Sequence, residues 1–455
     1  MPLSKELSLS KKLRICVHGG YGEVGGNIIE IAYKDESIIL DLGLNLSLKS
    51  RFYTWPTFDV ENPNELFELG ITKNIEGLYT SWDGPFTPSK GYETRFLGAF
   101  ISHAHLDHIY MLPQVNRNIP IFMGETCKII YDARKETSRR KRFWIDIGLR
   151  INTYRSFLQI KLGEFNVLPI HVDHSIPGAY AFIVGTPDGV IAYSGDYRLH
   201  GTSITYYGEK SLTMDFVNKL EEEDVNLLIS EATRFEDVSL EHEKEVESKI
   251  SHLLESCSGA VLTLFSETDI DRFKSFLNAA IKNDWKILIP LRQFKILYDL
   301  MNKDERLRLK IPKDIVYAFI RRKARLESWE DKVISELEER GFSIFTFPDD
   351  FDEKGLKRKV IVGFNLIRRE LMKVGLPSNT LAILSYSEPA DEEGEIELDK
   401  LLNWLRNYSI PSYRIHCSGH IYMKDLVRIV NYVKPKDILI VHSEYPEIVK
   451  RYLGY

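Results

Sequence analysis

Ser102-His103-Ala104-His105-Leu106-Asp107-His108 places four metal-capable side chains within six residues. Phe100-Ile101-Ser102 just before it is apolar and β-leaning, and Ile109 to Val115 after it is apolar around Pro113. The pattern predicts a buried strand ending at the motif, with side chains fanning out from a loop and the first turn of a helix. Imidazole nitrogen and carboxylate oxygen are the donors that zinc and similar divalent ions take. His103 and His105, two apart, can chelate one ion, and Asp107 and His108 turn towards a second. With 12 histidines in 455 residues, three histidines and an aspartate at these offsets arise by chance in roughly one chain in a thousand. The motif is therefore read as a ligand set, not as a solvated polar loop.

Upstream, Arg14 to His18 is a short β-type run followed by Gly19-Gly20-Tyr21-Gly22-Glu23-Val24-Gly25-Gly26. Gly20, Gly22 and Gly25 spell the G-x-G-x-x-G of dinucleotide-binding folds, but that fingerprint must open a helix. Here Asn27 to Tyr33, a polar turn at 34–37 and Ile38 to Leu40 read as strand, turn, strand. The glycines are expected to let backbone pass close beside the metal motif. The hairpin ends at Asp41, where a carboxylate could orient a ligand histidine. Residues 45 to 97, with Trp55, Trp82, Pro56 and Pro85, read as loops or an elaborated rim.

Downstream, Ile119 to Phe122 reads as a strand and Thr126 to about Arg142 as a helix. Arg134, Lys135, Arg139, Arg140, Lys141 and Arg142 crowd its end, either as a solvated face or as phosphate contacts. Phe165 to Ile170 leads to His171-Val172-Asp173-His174, and either histidine could be a ligand. His174 is preferred, because a polar, proline-containing loop follows it. A hairpin over Tyr180 to Val184 and Val190 to Tyr193, turning at Thr186-Pro187-Asp188-Gly189, ends at Asp196, which could bridge two cations. Val225 to Ile229 ends at Glu231. Between 259 and 302 strands and helices alternate, which suggests a small parallel sheet. Residues 303 to 343 read as charged and mostly helical, with basic clusters at 321–325 and 357–359. Thr380 to Tyr386 reads as a return to buried strand. His416-Cys417-Ser418-Gly419-His420 then precedes a helix from Met423, and a last strand, Asp437 to Val441, ends at His442.

The composition is that of a globular chain, 44% apolar and 28% charged. No apolar run reaches the 18 or so residues needed to span a bilayer, and no secretion signal is visible. Four scattered cysteines read as reduced thiols, so a cytoplasmic protein is expected. A net charge of −6 gives no global attraction to nucleic acid, so any polyanion site must be local.

Strands ending at Asp41, His103, His174, Asp196, Glu231 and His442 would bring five imidazoles and two carboxylates to one sheet edge. That set resembles the metallo-β-lactamase superfamily and its β-CASP nuclease branch. His174-Ser175-Ile176-Pro177-Gly178-Ala179-Tyr180, the run 194–201 (SGDYRLHG) and Ser418-Gly419-His420 are most similar to ribonuclease J and its archaeal relatives. The resemblance implies an α/β fold: an αββα sandwich over 1–231 and 376–455, with an inserted β-CASP α/β domain over 232–375. It implies two Zn2+ ions, one on His103, His105 and His174, the other on Asp107, His108 and His442, with Asp196 bridging and Asp41 behind the ligands. Asp107, Glu231 and His420 are the implied catalytic residues, Asp107 doubling as ligand. His416, Ser418 and Gly419 are candidate phosphate contacts. The implied activity is a zinc-dependent ribonuclease acting on single-stranded RNA, 5′-to-3′ with added endonucleolytic cuts. No membrane association is implied, and a homodimer is left open. A DNA-processing nuclease of the same branch and a non-catalytic RNA-binding subunit are the competing readings. Tyr110-Met111 stands where the family often has Gly-Gly, which is expected to narrow the mouth of the site. The additional C-terminal domain of bacterial ribonuclease J and the N-terminal RNA-binding module of some archaeal relatives are expected to be missing.

Overall fold

The computed structural model describes residues 3–54, 58–80, 82–84, 87–88, 91–138, 148–201, 211–234, 242–350, 359–363, 375–386 and 392–455. Trp55, Pro56, Pro85, Arg139 to Arg142, Lys357 and Arg358, singled out above, lie outside them.

Two sheets form the centre. The first runs in spatial order Leu3–Ser8, Leu13–Tyr21, Ile28–Tyr33, Glu36–Leu40, Phe96–Ile101, Ile121–Gly124 and Ile151–Tyr154. The second runs Ile160–Leu162, Phe165–Val172, Ala179–Thr186, Gly189–Tyr193, Val225–Glu231 and Ile438–Val441. Their facing sides interdigitate: Leu13, Ile15, Ile29, Ile31, Ile38 and Phe100 meet Phe165, Phe182, Val184, Ile191, Leu227 and Val441, all buried. Burying each such side chain contributes about 2 kcal/mol relative to leaving it in water. The outer face of the second sheet is covered by the helices Leu212–Glu221, Met423–Val433 and Pro446–Tyr452. Helix Glu125–Glu136 covers the first. This is the expected αββα sandwich. Among the described residues no helix is long and apolar enough to cross a membrane.

A third sheet lies outside the sandwich, in the order Ile344–Phe347, Val316–Arg321, Lys286–Pro290, Val360–Gly363, Ala260–Leu264, Leu381–Leu384 and Ser412–Arg414, with every pair parallel. Two expectations are corrected here. The strand near 380 pairs with Ala260–Leu264, not with the sandwich, so the chain returns to the sandwich after Arg414 and not at 376. Strands covered on both faces read as the same apolar run in either sheet, so periodicity could not tell them apart. The segment 303–343 is not mostly helical: Val316–Arg321 is a strand, and only Ser328–Glu339 is a long helix. Its Val-Tyr-Ala-Phe-Ile run is β-branched and aromatic, and the charges on either side hid it.

The sandwich strands that end at the site all point the same way. The chain then turns at special backbone positions. Asp41 and His442, each next after a strand, adopt left-handed φ of 62° and 52°, which costs an L-residue about 1–2 kcal/mol. The His442 amide donates to Gly20 O (2.6 Å) and the Asp41 amide to Phe100 O (2.8 Å), which holds both turns. The glycine run opens no helix. It lies against the histidine motif: Gly26 N donates to Asp107 O (3.1 Å), and a Cβ on Gly43 would stand 1.8 Å from that same carbonyl oxygen. Met111 does not narrow any mouth, because it is fully buried in the core beneath the motif with its amide bonded to Leu42 O.

Gly43→Ala is therefore expected to lower stability by about 2–3 kcal/mol, read from the denaturant midpoint. Gly185→Ala, where a Cβ meets nothing nearer than 3.8 Å, should stay within about 0.5 kcal/mol of the parent. Equal midpoints for the two variants would contradict the close packing of Gly43 on the motif.

Candidate metal centre

The strand Phe96–Ile101 delivers Ser102 and His103, the loop delivers His105, and the one-turn helix Leu106–Ile109 delivers Asp107 and His108. His174 follows Phe165–Val172, Asp196 follows Gly189–Tyr193, and His442 follows Ile438–Val441. All seven converge. His103, His105, His174 and Asp196 form one group of potential ligand atoms within 4.8 Å of one another; Asp107, His108, Asp196 and His442 form a second. A third, Asp196, Glu231, His420 and His442, adjoins them.

Asp196 is the shared member. Its Oδ2 lies 3.2 Å from His108 Nε2, 3.5 Å from His442 Nε2, 3.7 Å from His420 Nδ1, 3.8 Å from His103 Nε2 and 3.9 Å from His174 Nε2. Asp107 Oδ2 lies 3.1 Å from His442 Nε2 and 3.7 Å from His108 Nε2. His105 presents Nδ1, 3.0 Å from His103 Nε2 and 3.2 Å from His174 Nε2.

The far nitrogens of the rings are held from behind. Asp41 accepts four hydrogen bonds: from Ser102 N (2.7 Å), Ser102 Oγ (2.8 Å), Tyr193 OH (2.7 Å) and His108 Nδ1 (2.8 Å). With Nδ1 donating, His108 keeps the Nε2 lone pair for the cluster, as ligand histidines require. His174 Nδ1 donates to Gly419 O (2.5 Å), and His442 Nδ1 meets Thr233 Oγ1 (2.8 Å). His103 Nδ1 meets Ser102 Oγ (2.9 Å).

The electrostatics divide the centre in two. Burial, then the neighbouring imidazoles, pushes His103 and His174 well below the ordinary histidine range, and burial takes His105 to about 3. Those three rings are neutral and free to donate lone pairs. Burial also opposes charge on His108 and His442, but Asp196 and Asp107 outweigh it and raise both, His442 to about 9. Two carboxylates there, Asp196 buried and Asp107 partly exposed, demand positive charge, which a divalent cation supplies. His108 Nε2 and Asp196 Oδ1 are buried without any hydrogen-bond partner. Orphaned donors facing a common centre, with neutral imidazoles opposite, fit a metal-ion site.

Glu231 and His420 stand at the edge of this centre. Glu231 Oε2 accepts from His420 Nδ1 (2.9 Å) and Thr233 Oγ1 (2.6 Å), and Oε1 from the amides of Tyr197 (3.0 Å) and Ile421 (3.3 Å). His171, the alternative ligand, stacks on Tyr180 at 4.8 Å and is in none of the three groups.

The loop 416–420 is clamped by two buried guanidiniums. Arg272 is bidentate to Glu243 (2.8 and 3.1 Å) and donates to His416 Nδ1 (3.1 Å) and Cys417 O (3.3 Å). Arg198 is paired with Asp271 and donates to Ser418 O (3.1 Å), which His200 Nε2 also reaches at 2.7 Å. Ser418 Oγ accepts from Arg234 Nε (3.2 Å) and His420 N (3.0 Å). A Cβ on Gly419 would lie 3.1 Å from the His174 ring, so glycine lets this loop approach that ring. His416 Nε2 is buried with no hydrogen-bond partner. Of the basic helix end, Arg134 is turned inward: its NH1 donates to Ala104 O (2.6 Å), inside the histidine motif, and its NH2 reaches Thr268 Oγ1 (3.4 Å) of the third-sheet region. Thr233, Ser102, Tyr193, Arg198 and Arg272 have no role legible from sequence, and Arg134 reads only as part of a solvated face or a phosphate contact. Their type and spacing are unremarkable, and only the folded chain shows what they touch.

Residues 412–450 match the family described as "RMMBL: Zn-dependent metallo-hydrolase RNA specificity domain". The chain is 25% identical over 447 residues to ribonuclease J of Mycoplasma genitalium, covering 96% of this chain and 68% of the relative. It is 24% identical over 436 residues to ribonuclease J of Thermus thermophilus, covering 94% and 67%. With ribonuclease J of Helicobacter pylori it shares 22% over 469 residues, 98% of this chain but 58% of the relative. A solved structure from Enterococcus faecalis, a protein of unknown function, superposes with a TM-score of 0.71 at 20% identity, over 96% of this chain and 95% of that one; it speaks to the fold. Along nearly its whole length the chain is thus similar to ribonuclease J proteins, and over residues 412–450 to a Zn-dependent metallo-hydrolase RNA specificity domain.

Proposed function

We propose that this chain is a zinc-dependent ribonuclease that hydrolyses phosphodiester bonds of single-stranded RNA, 5′-to-3′ from an end and with internal cuts. The observation that carries the reading is Asp196: one buried carboxylate oxygen within 4 Å of five imidazoles. In this proposal His103, His105 and His174 hold one Zn2+, Asp107, His108 and His442 hold the other, and Asp196 serves both. Bound there, the cations would supply Lewis-acid stabilisation of phosphoryl oxygens and lower the pKa of an attacking water. The chain's own groups do the rest. Asp41 keeps His108 in its donor tautomer through the 2.8 Å bond to Nδ1. Glu231 Oε2 accepts the Nδ1–H of His420 and pairs with the imidazolium form of that ring, whose Nε2–H is the proton handed to the departing ribose oxygen, leaving neutral imidazole behind. His416 accepts from Arg272 at Nδ1, so its Nε2 carries hydrogen and can donate to a phosphate. Ser418 and Gly419 belong to the same phosphate side in this proposal, and their observed bonds show how the loop is kept against His174.

The domain division enters the proposal in corrected form. The described residues between about 243 and 414 are taken as the inserted lobe, and its buried Arg272 and Asp271 tie it to the loop that carries His420. RNA would run between the lobes, with a dimer left to measurement. The complete ligand set argues against a non-catalytic subunit.

Matched RNA and single-stranded DNA, labelled at either end, test the substrate. Release of mononucleotides from the RNA 5′ end, abolished by a chelator and restored by zinc, is the expected result. Cleavage of DNA with RNA left intact would transfer the assignment to a DNA nuclease. His420→Ala should cut turnover about a hundred- to ten-thousand-fold while zinc content, measured by atomic absorption, stays at the parent value. Loss of zinc in that variant would make His420 a ligand and not the proton donor.

A further inference from the structure

The hydroxyl of Thr233 stands where two functional groups meet. Its Oγ1 lies 2.8 Å from His442 Nδ1, 2.6 Å from Glu231 Oε2, 3.0 Å from His442 O and 3.3 Å from His420 Nδ1. We propose that Thr233 is a positioning residue of the metal centre, which sets the tautomer of His442 and links that ring to the Glu231–His420 pair. The inference rests on the metal-centre reading above.

A hydroxyl has one proton to give and lone pairs to receive. Of the four neighbours, the carboxylate oxygen is the nearest and the strongest acceptor, so the hydroxyl proton goes to Glu231 Oε2. The lone pairs then face His442 Nδ1, which must carry hydrogen to use them. That places the hydrogen of a neutral His442 on Nδ1 and leaves Nε2, 3.1 Å from Asp107 Oδ2 and 3.5 Å from Asp196 Oδ2, as the nitrogen able to donate to a cation. A hydroxyl that donates to a carboxylate is also a better acceptor, because consecutive hydrogen bonds polarise one another. The 3.3 Å approach to His420 Nδ1 is the weakest contact, and that nitrogen already has Glu231 Oε2 at 2.9 Å. Glu231 therefore receives two donors on one oxygen, one from each side of the site. His108 has Asp41 and His174 has Gly419 O for the same task. For His442 the group is a neutral hydroxyl that also answers to Glu231.

Thr233→Val keeps the shape and removes the hydroxyl. Zinc affinity of the full chain is to be measured by chelator competition, with the absorption spectrum of the cobalt-loaded protein recorded alongside. The parent should take up two ions. Thr233→Val should weaken one of them about 10- to 100-fold, leave the other unchanged and shift the cobalt bands, and Thr233→Ser should restore both properties. Should the valine variant not fold, Thr233→Ser and Thr233→Ala differ only in the hydroxyl and make the same comparison. Unaltered affinities and spectrum without the hydroxyl would overturn the inference and leave the metal centre standing. No zinc uptake by the parent would instead overturn the metal-centre reading, and the inference with it.

Discussion

A carboxylate almost sealed from water, surrounded by five imidazoles, is the constraint the rest of the structure serves. Moving such an ion out of water costs several kcal/mol even after relaxation. The cost is offset only while its neighbours hold their places, since Asp196 sits 3.2 to 3.9 Å from each ring. The rings are fixed less by one another than by what lies behind them: Asp41 for His108, Gly419 O for His174, Thr233 for His442. A histidine pinned at its far nitrogen cannot rotate its lone pair away from the cluster. The fold's work at this edge is to deliver pinning groups as much as the clustered side chains themselves.

That work explains where the backbone is unusual. Asp41 and His442 leave their strands in the left-handed region, one in each sheet, and both side chains reach the site directly from the turn. The glycine run 19–26 and Gly43 let the motif lie against neighbouring backbone with no Cβ between. Arg134 and Arg198 of the sandwich and Arg272 of the outer lobe are spent on carbonyl oxygens of the two loops that carry His105 and His420, and Arg134 and Arg198 also reach Thr268 and Asp271 of the outer lobe, which wires that lobe into the geometry of the centre. Buried guanidiniums suit this task, because their planar fork satisfies several acceptors at once and stays charged.

Much of this was legible from the residues. The clustering of the motif side chains with His174 and not His171, the central place of Asp196 among the imidazoles and the non-helical sequel to the glycine run all follow from chemistry that is local in sequence. The misreadings have a common origin. A strand covered on both faces has no period that says which sheet it joins, so 380–386 was placed in the wrong one. Charges flanking Val316–Arg321 concealed its β-branched interior. Arg134 read as part of a basic surface, because nothing in a single sequence shows which member of a charge cluster turns inward. Thr233 carries no signature at all, since its importance lies in what stands opposite it after residues more than 180 positions away have folded back.

The last strand, Ile438–Val441, joins the sandwich beside Val225–Glu231, parallel to it, and brings His442 from more than 330 residues beyond the first histidine. On a ribosome the chain emerges from its N-terminus at roughly 5–20 residues per second, so a half-made copy already displays the Ser102–His108 motif. It does not yet own the partner of Asp107. A chain assembled in this order has no complete cluster until that closing strand docks.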